Sequence, residues 1–223
     1  MKNKKSKFEK ELKNKDFRVS IFGSARIKKG DPHYNQINKL AKLLALNGID
    51  LITGGGPGLM EAASSGHKEG KKISGINSHT IGLGINLFRK QRFNPAVTIR
   101  KKFNKFSSRL DDFMVLSNVV VVASGGVGTI LELFYTWQLM QVNHICNIPI
   151  ILLGDMWPGL IKWLEKYPLK NKFFEKKDLN LLFVAKNSDE AMKIIKLAYK
   201  DFKEGDGNFC LNYKKYQKYY DGD

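Results

Sequence analysis

A chain of 223 residues with 43% hydrophobic composition has the length and apolar content for one large folded domain, which excludes a disordered tail protein. The 38 Lys and Arg against 21 Asp and Glu give a formal charge of +17, yet only six are arginine (Arg18, Arg26, Arg89, Arg92, Arg100, Arg109), the planar cation that phosphate and base edges favour, which argues against nucleic acid as the partner. No run approaches the roughly 18 apolar residues of a bilayer span, and MKNKKSKFEKELKNKD lacks the apolar centre of a signal peptide, so the reading is a cytoplasmic protein with no membrane partner.

In chain order, residues 1–16 hold seven lysines against Glu9, Glu11 and Asp16 and read as a basic N-terminal tail. Arg18 to Phe22 is a first strand, ending at Gly23-Ser24-Ala25-Arg26. Asp31 caps and Pro32 starts a helix whose Tyr34, Ile37, Leu40, Ala41 and Leu44 recur at helical spacing, stopping at Asn47-Gly48. Ile49 to Thr53 is a second strand. After it GGGPGLMEAASSGHKEG turns into a short helix bearing Leu59, Met60, Ala62 and Ala63, and Lys72 to Asn77 reads as a third strand. Residues 78–95, rich in Gly, Asn and Arg, read as the longest irregular stretch, a loop over a site.

Val97 to Ile99 is a short strand, and Phe103 to Leu116 a helix through Phe103, Phe106, Leu110, Phe113 and Met114. Asn118 to Ala123 is apolar and β-branched throughout, as a strand buried on both faces of a parallel sheet should be. Helix Thr129 to Gln141, strand Ile148 to Leu153, helix Pro158 to Lys166, strand Leu181 to Val184 and helix Ser188 to Phe202 complete the alternation. The fold class is therefore α/β, a doubly wound, Rossmann-like parallel sheet with helices on both faces, over residues 17–204. Residues 205–223, with four tyrosines, read as an arm packing on the body or on a partner subunit, with a disordered tail as the alternative. Two cysteines, Cys146 and Cys210, are too few for a disulfide scaffold, and a reduced pair is the default expectation.

Ligands in such sheets bind at the carboxyl ends of the strands, so the glycine clusters there are the candidate site. In SGGVGTILE, backbone N–H groups of Gly125, Gly126 and Gly128 at a helix N-terminus suit a phosphate, with the Thr129 hydroxyl as a further donor. G-x-G-x-x-G fails, because Gly126-Val127-Gly128 is followed by Leu131 and Gly82-Leu83-Gly84 by Leu87, and no Gly-Lys-Ser/Thr exists. A mononucleotide or sugar phosphate fits better than NAD or ATP. Glu132 follows Thr129 by three residues, which is equally the spacing of a capping box and of a carboxylate beside the phosphate. His144-x-Cys146 lacks a second ligand pair, so no metal site is read, and no cofactor is called for.

GSAR after the first strand, TGGGPGLMEAA after the second and SGGVGTxxE before a helix together resemble the Lonely Guy (LOG) family, whose members often carry the label lysine decarboxylase. The resemblance covers roughly residues 17 to 165. It implies a phosphoribohydrolase that cuts the N-glycosidic bond of a nucleoside 5′-monophosphate, cytokinin riboside monophosphates included, releasing free base and ribose 5-phosphate. It also implies a homodimer. The family pattern P-G-G-x-G-T-x-x-E falls on Ser124 to Glu132, and the family's Arg-Lys pair falls on Arg109 and Leu110. A further segment resembles Gly82 to Gln91, with Phe88 and Lys90 in place of Pro and Glu. On this reading Arg109 and Glu132 are catalytic, Glu132 holding or activating water beside an oxocarbenium-like centre. Gly23, Ser24, Gly55, Gly56 and Glu61 bind substrate. Without the resemblance, Arg109 reads as an exposed partner of Asp112 or Phe106, and Glu61 as a carboxylate suited to a helix start. The alternatives are a non-catalytic nucleotide or cofactor carrier of the same fold, motivated by Leu110, Ser124 and Lys90, and a single-strand nucleic-acid binder of the related DNA-processing protein A kind, motivated by charge.

Overall fold

The apolar stripe of the first amphipathic segment becomes the buried face of helix α1 (Pro32–Leu46), where Tyr34, Ile37, Leu40, Ala41 and Leu44 are all buried. Asp31 caps it, its carboxylate accepting from the His33 backbone N–H at 2.8 Å. The same bond to His33 lowers the Asp31 pKa. The computed structural model describes residues 8, 16–86 and 92–205. Most of the predicted tail, the motif residues Leu87, Phe88, Arg89, Lys90 and Gln91, and the predicted arm beyond Gly205 lie outside them.

Seven parallel strands are hydrogen-bonded in the order β4-β3-β2-β1-β5-β6-β7. They are β1 (Arg18–Phe22), β2 (Asp50–Thr53), β3 (Thr80–Ile85), β4 (Ile99–Phe103), β5 (Val119–Val122), β6 (Ile150–Leu153) and β7 (Leu182–Ala185). The order runs one way from β1 to β4 and the other way from β5 to β7, as the sequence alternation predicts for a doubly wound α/β fold. Every residue of β5 and β6 is buried, which explains their uninterrupted Val and Ile/Leu content.

The chain divides into two compact units, Met1–Ile21 with Ala25–Ser117, and Phe22–Ser24 with Asn118–Asp223. In the first, α1 packs on α2 (Leu59–Ser74), and α3 (Phe106–Leu116) follows β4. Here the structure corrects the sequence reading. Residues 72–74 of the predicted third strand end α2 instead, and the strand itself, β3, lies inside the predicted irregular stretch. Glycine is the reason in both places. Gly66 and Gly70 sit mid-helix because a Cβ at either would run into the backbone carbonyl of Asn38 or Lys42 on α1. Gly82 and Gly84 sit in β3 because the Phe93 ring lies against them, leaving 2.8 Å to an added Cβ at Gly84. Phe8, within the predicted tail, is buried, with the Lys101 ammonium 4.5 Å from its ring centroid.

His67 on α2 is a core group. Its Nε2–H donates to the Ile49 carbonyl at 2.9 Å, and Nδ1 accepts from the Thr80 hydroxyl at 2.9 Å. Burial of the neutral ring pushes its pKa down to about 4.

The second unit holds α4 (Val127–Gln141), α5 (Trp157–Leu164) running into a π-helical turn (Glu165–Leu169), α6 (Lys176–Leu179) and α7 (Ser188–Lys203), the last packing on β5, β6 and β7. The Trp157 side chain is fully buried. Asn187 caps α7, accepting from the Asp189 and Glu190 backbone N–H groups. One expectation fails in this unit: Cys146 is disulfide-bonded rather than a reduced thiol. The cysteine count excludes a scaffold of bridges, and a single pair needs only two sulfurs brought together.

Candidate functional site

The loop after β5 is held by the loop after β1 within the second unit. The Ser24 backbone N–H donates to the Ser124 carbonyl at 3.1 Å, and the Ala123 N–H to the Phe22 carbonyl at 2.9 Å. This places Gly23 and Ser24 beside the start of the SGGVGT segment. Helix α4 begins at Val127, two residues before the predicted start, with Gly126 as N-cap and no side chain capping it. The first N–H groups of α4 are therefore not taken by a capping side chain, and Gly126 and Gly128 have open space where a Cβ would stand. Gly125 is required for a different reason: a Cβ there would collide with the buried Thr129 side chain.

This start removes the capping-box reading of Glu132. With Gly126 at the N-cap, Glu132 lies in the second turn of the helix, too far along to reach back to the cap N–H. Its side chain is half-buried. Ser124 Oγ, where the family has proline, is buried without a hydrogen-bond partner, with Gly154 behind it.

In the first unit the loop after β2 is built around Gly55. Its φ of +71° puts it in the left-handed region, and the Phe93 ring lies against its Cα. Asn94, buried, clamps this loop: its amide donates to the Gly55 and Gly56 carbonyls at 3.2 and 3.1 Å, and its backbone N–H donates to Gly55 O at 2.8 Å. The Gly55 N–H donates to the Thr53 hydroxyl at 3.0 Å. Arg109 on α3 reaches the same loop. Its Nε donates to the Leu83 carbonyl at 2.7 Å, the guanidinium lies 5.1 Å from the Phe113 ring centroid, and Nη2 is 2.6 Å from where a Gly54 Cβ would be. Asp112 pairs with Lys101 at 2.7 Å, and Phe106 is exposed. Leu110, at the position of the family lysine, is a buried core residue.

Gly55, Gly56 and Arg109 are thus brought to one loop in this unit, with Gly54 between them. Glu61 turns elsewhere, toward α1, where burial first and its charge second hold the Tyr34 phenol above its ordinary pKa. Gly23, Ser24, Gly125, Gly126, Gly128, Thr129 and Glu132 belong to the other unit. Sequence reasoning missed Arg92, Phe93, Asn94 and Lys102. Arg92, Phe93 and Lys102 line a small pocket with Gly54, Gly55 and Gly56, and the Lys102 ammonium lies 5.9 Å from the Phe93 centroid. The alternation of glycine and apolar residues in β3 was the available signal, masked by reading glycine as loop. No group of three or more His, Cys, Asp or Glu among the described residues could hold a metal, and no helix among them is long and apolar enough to cross a membrane.

A family model described as possible lysine decarboxylase matches residues 60–195. The pyrimidine/purine nucleotide 5′-monophosphate nucleosidase of Escherichia coli K12 is 28% identical over 125 residues, 54% of this chain. The match spans only 28% of that longer relative's length. Among solved structures, the molybdenum cofactor binding protein of Rippkaea orientalis superposes with a TM-score of 0.62 at 22% identity, covering 82% of this chain and 96% of that one. The molybdenum cofactor carrier protein of Chlamydomonas reinhardtii superposes with a TM-score of 0.59 at 25% identity, covering 82% of this chain and 97% of that one.

Proposed function

This chain belongs to the family described as possible lysine decarboxylase, the LOG family, and from that premise we propose that it is a phosphoribohydrolase of nucleoside 5′-monophosphates. The observation that carries the reading is the start of α4. A glycine-lined helix N-terminus without a capping side chain supplies several N–H donors to a dianion, and Glu132 follows in the next turn with its capping role removed. The E. coli relative, by name a nucleotide 5′-monophosphate nucleosidase, supports the same reaction class.

In the proposed reaction the backbone N–H groups of Gly125, Gly126 and Gly128, with Thr129, hold the 5′-phosphate. The bond from ribose C1′ to the base nitrogen breaks, and a water oxygen bonds to C1′. Glu132 orients that water, takes up its proton and stabilises positive charge on the ribosyl centre; that same proton ends on the departing base nitrogen, which returns Glu132 to its carboxylate. Arg109, fixed by Leu83 O and Phe113, orients ribose or phosphate. Gly23, Ser24, Gly55 and Gly56 complete the substrate contacts, while Glu61, beside Tyr34, is left out of them. Water is the only co-reactant. The partners of this reading are a nucleotide substrate and a second copy of the chain in the cytoplasm, the dimer being supported by the exposed apolar residues Val127, Ile130 and Leu131 on α4.

The test is release of free base from a panel of purine, pyrimidine and N6-modified nucleoside 5′-monophosphates, with Glu132→Gln alongside. The expected result is base release by wild type and a loss of at least about a hundredfold in kcat for the variant, with unfolding midpoint and nucleotide affinity kept. Helix destabilisation with activity retained would remove Glu132 from the chemistry. A second reading, a carrier that binds a phosphorylated ligand without cleaving it, is favoured by buried Leu110 in place of the family lysine and by the unpaired Ser124 Oγ. A ligand bound and recovered intact after hours of incubation selects it.

A further inference from the structure

A groove of roughly 330 Å³ runs along the second unit between the C-terminal half of α4 and the end of α5, and the proposed reaction uses none of it. Sites for small organic molecules occupy about 300–1,000 Å³, so this one has room for a ring system. Phe134, Trp137, Trp163 and Phe173 line it, together with Gln138 and Gln141. Trp163 and Phe173 are 51% and 79% exposed, which leaves aromatic surface open to a ligand arriving from solvent.

Two of these side chains are held in place before anything binds. The Trp137 Nε1–H donates to the Asp178 carbonyl at 2.8 Å, and the Gln141 Nε2–H donates to the Asp178 carboxylate at 3.1 Å. Asp178 is itself buried, and its carboxylate also accepts from the Glu175 backbone N–H at 2.9 Å. Phe174 meets the Trp137 ring edge-on at a centroid distance of 5.5 Å, and Phe134 packs on it at 5.8 Å. A wall fixed in this way loses little further freedom when a ligand settles on it.

The lining names the ligand. No charged side chain is among the described residues around the groove, in a chain whose composition is 26% charged, so the ligand is uncharged. Flat aromatic walls take a planar ring by stacking. The Gln138 amide, exposed on α4, sets a donor beside an acceptor, and the base edge that answers both is adenine's N7 with its N6 amino group. A 6-oxopurine shows two acceptors on that edge and leaves the Gln138 Oε1 without a donor. We propose that the groove is a binding site for an uncharged adenine ring, as free adenine or adenosine, stacked on Trp137 and Trp163 and read by Gln138. Adenine binding here is independent of the proposed hydrolysis, none of whose residues lines the groove.

Of the chain's three tryptophans, Trp137 and Trp163 line the groove and Trp157 is fully buried outside it. In the full chain labelled with 5-fluorotryptophan, adenine or adenosine is expected to move the Trp137 and Trp163 ¹⁹F resonances saturably at submillimolar concentration, while Trp157 stays in place. Gln138→Ala is expected to weaken adenine at least about fivefold, and hypoxanthine to bind wild type weaker than adenine by a similar factor, a difference that the variant loses. Trp163→Ala is expected to abolish binding with the Trp157 resonance unmoved, which certifies the fold. Adenine and adenosine are titrated separately: tighter adenine identifies the free base, tighter adenosine the nucleoside, and either supports the site. No movement at millimolar adenine and adenosine overturns it. So does an affinity unchanged in both Gln138→Ala and Trp163→Ala, which places the ring elsewhere. Equal affinity for adenine and hypoxanthine overturns the reading of the ring by Gln138. Resonances that move on dilution without ligand put a second copy in the groove and overturn the site as well. Base release from nucleotides is measured separately, so a failure of either result leaves the other standing.

Discussion

Burial holds the His67 imidazole at a pKa of about 4 in the fold, against about 6.5 in an unfolded chain. Above pH 6.5 the ring is neutral in both states and pH changes nothing. Between 6.5 and 4 the unfolded chain binds the proton and the folded chain does not, so stability is lost as pH falls through that window, by roughly 3 kcal/mol in total. Urea midpoints at pH 7.5 and 4.5 should therefore differ more for wild type than for His67→Gln. No periodicity announces this, since His67 is one polar residue among the small residues of α2 and gains its meaning only from Ile49 O and Thr80. Glu132 is the reverse case. Its spacing from Thr129 was legible, but the choice between cap and chemistry turned on whether α4 starts at Thr129 or at Val127. A helix that starts on glycines leaves no side-chain cap in the sequence to mark its first turn.

Elements whose apolar pattern follows one period, such as β1, α1, β5 and α7, were readable within a residue or two. Those built on glycine were not, because glycine in the α2 and β3 segments marks contact rather than a turn. This gives opposite expectations for two substitutions. Gly66→Ala drives a methyl into the Asn38 backbone carbonyl, where neither helix can yield, and should destabilise by about 1–3 kcal/mol or more, visible as a lowered denaturation midpoint. Gly54→Ala meets only the movable ends of Arg109 and Met60, at 2.6 and 2.7 Å. That variant should fold normally yet lose about tenfold or more in kcat/KM for nucleotide hydrolysis as Arg109 is displaced. Equal kcat/KM for Gly54→Ala and wild type would separate Arg109 from catalysis.

At the scale of the whole molecule, the proposed reaction has the charge of +17 drawing in a dianionic nucleotide before any contact forms. Raising salt from 0.1 to 1 M shortens the Debye length from about 10 to about 3 Å, so kcat/KM should fall while kcat holds. A kcat that falls in parallel would place the salt effect inside the site instead. The fold class was legible at this scale because strand–helix alternation survives local errors in boundaries. The pairing of Ser24 with Ser124 was not, since nothing local joins residues so far apart. That long pairing has a consequence in time. During synthesis the first unit can assemble as soon as Ser117 is made, while Phe22, Gly23 and Ser24 already exist but belong to the other unit. The Phe22 carbonyl waits for the Ala123 N–H until β5 is translated, so the earliest strand made is among the last to be completed, and a ribosome stalled before Ala123 holds a chain with an unmated sheet edge.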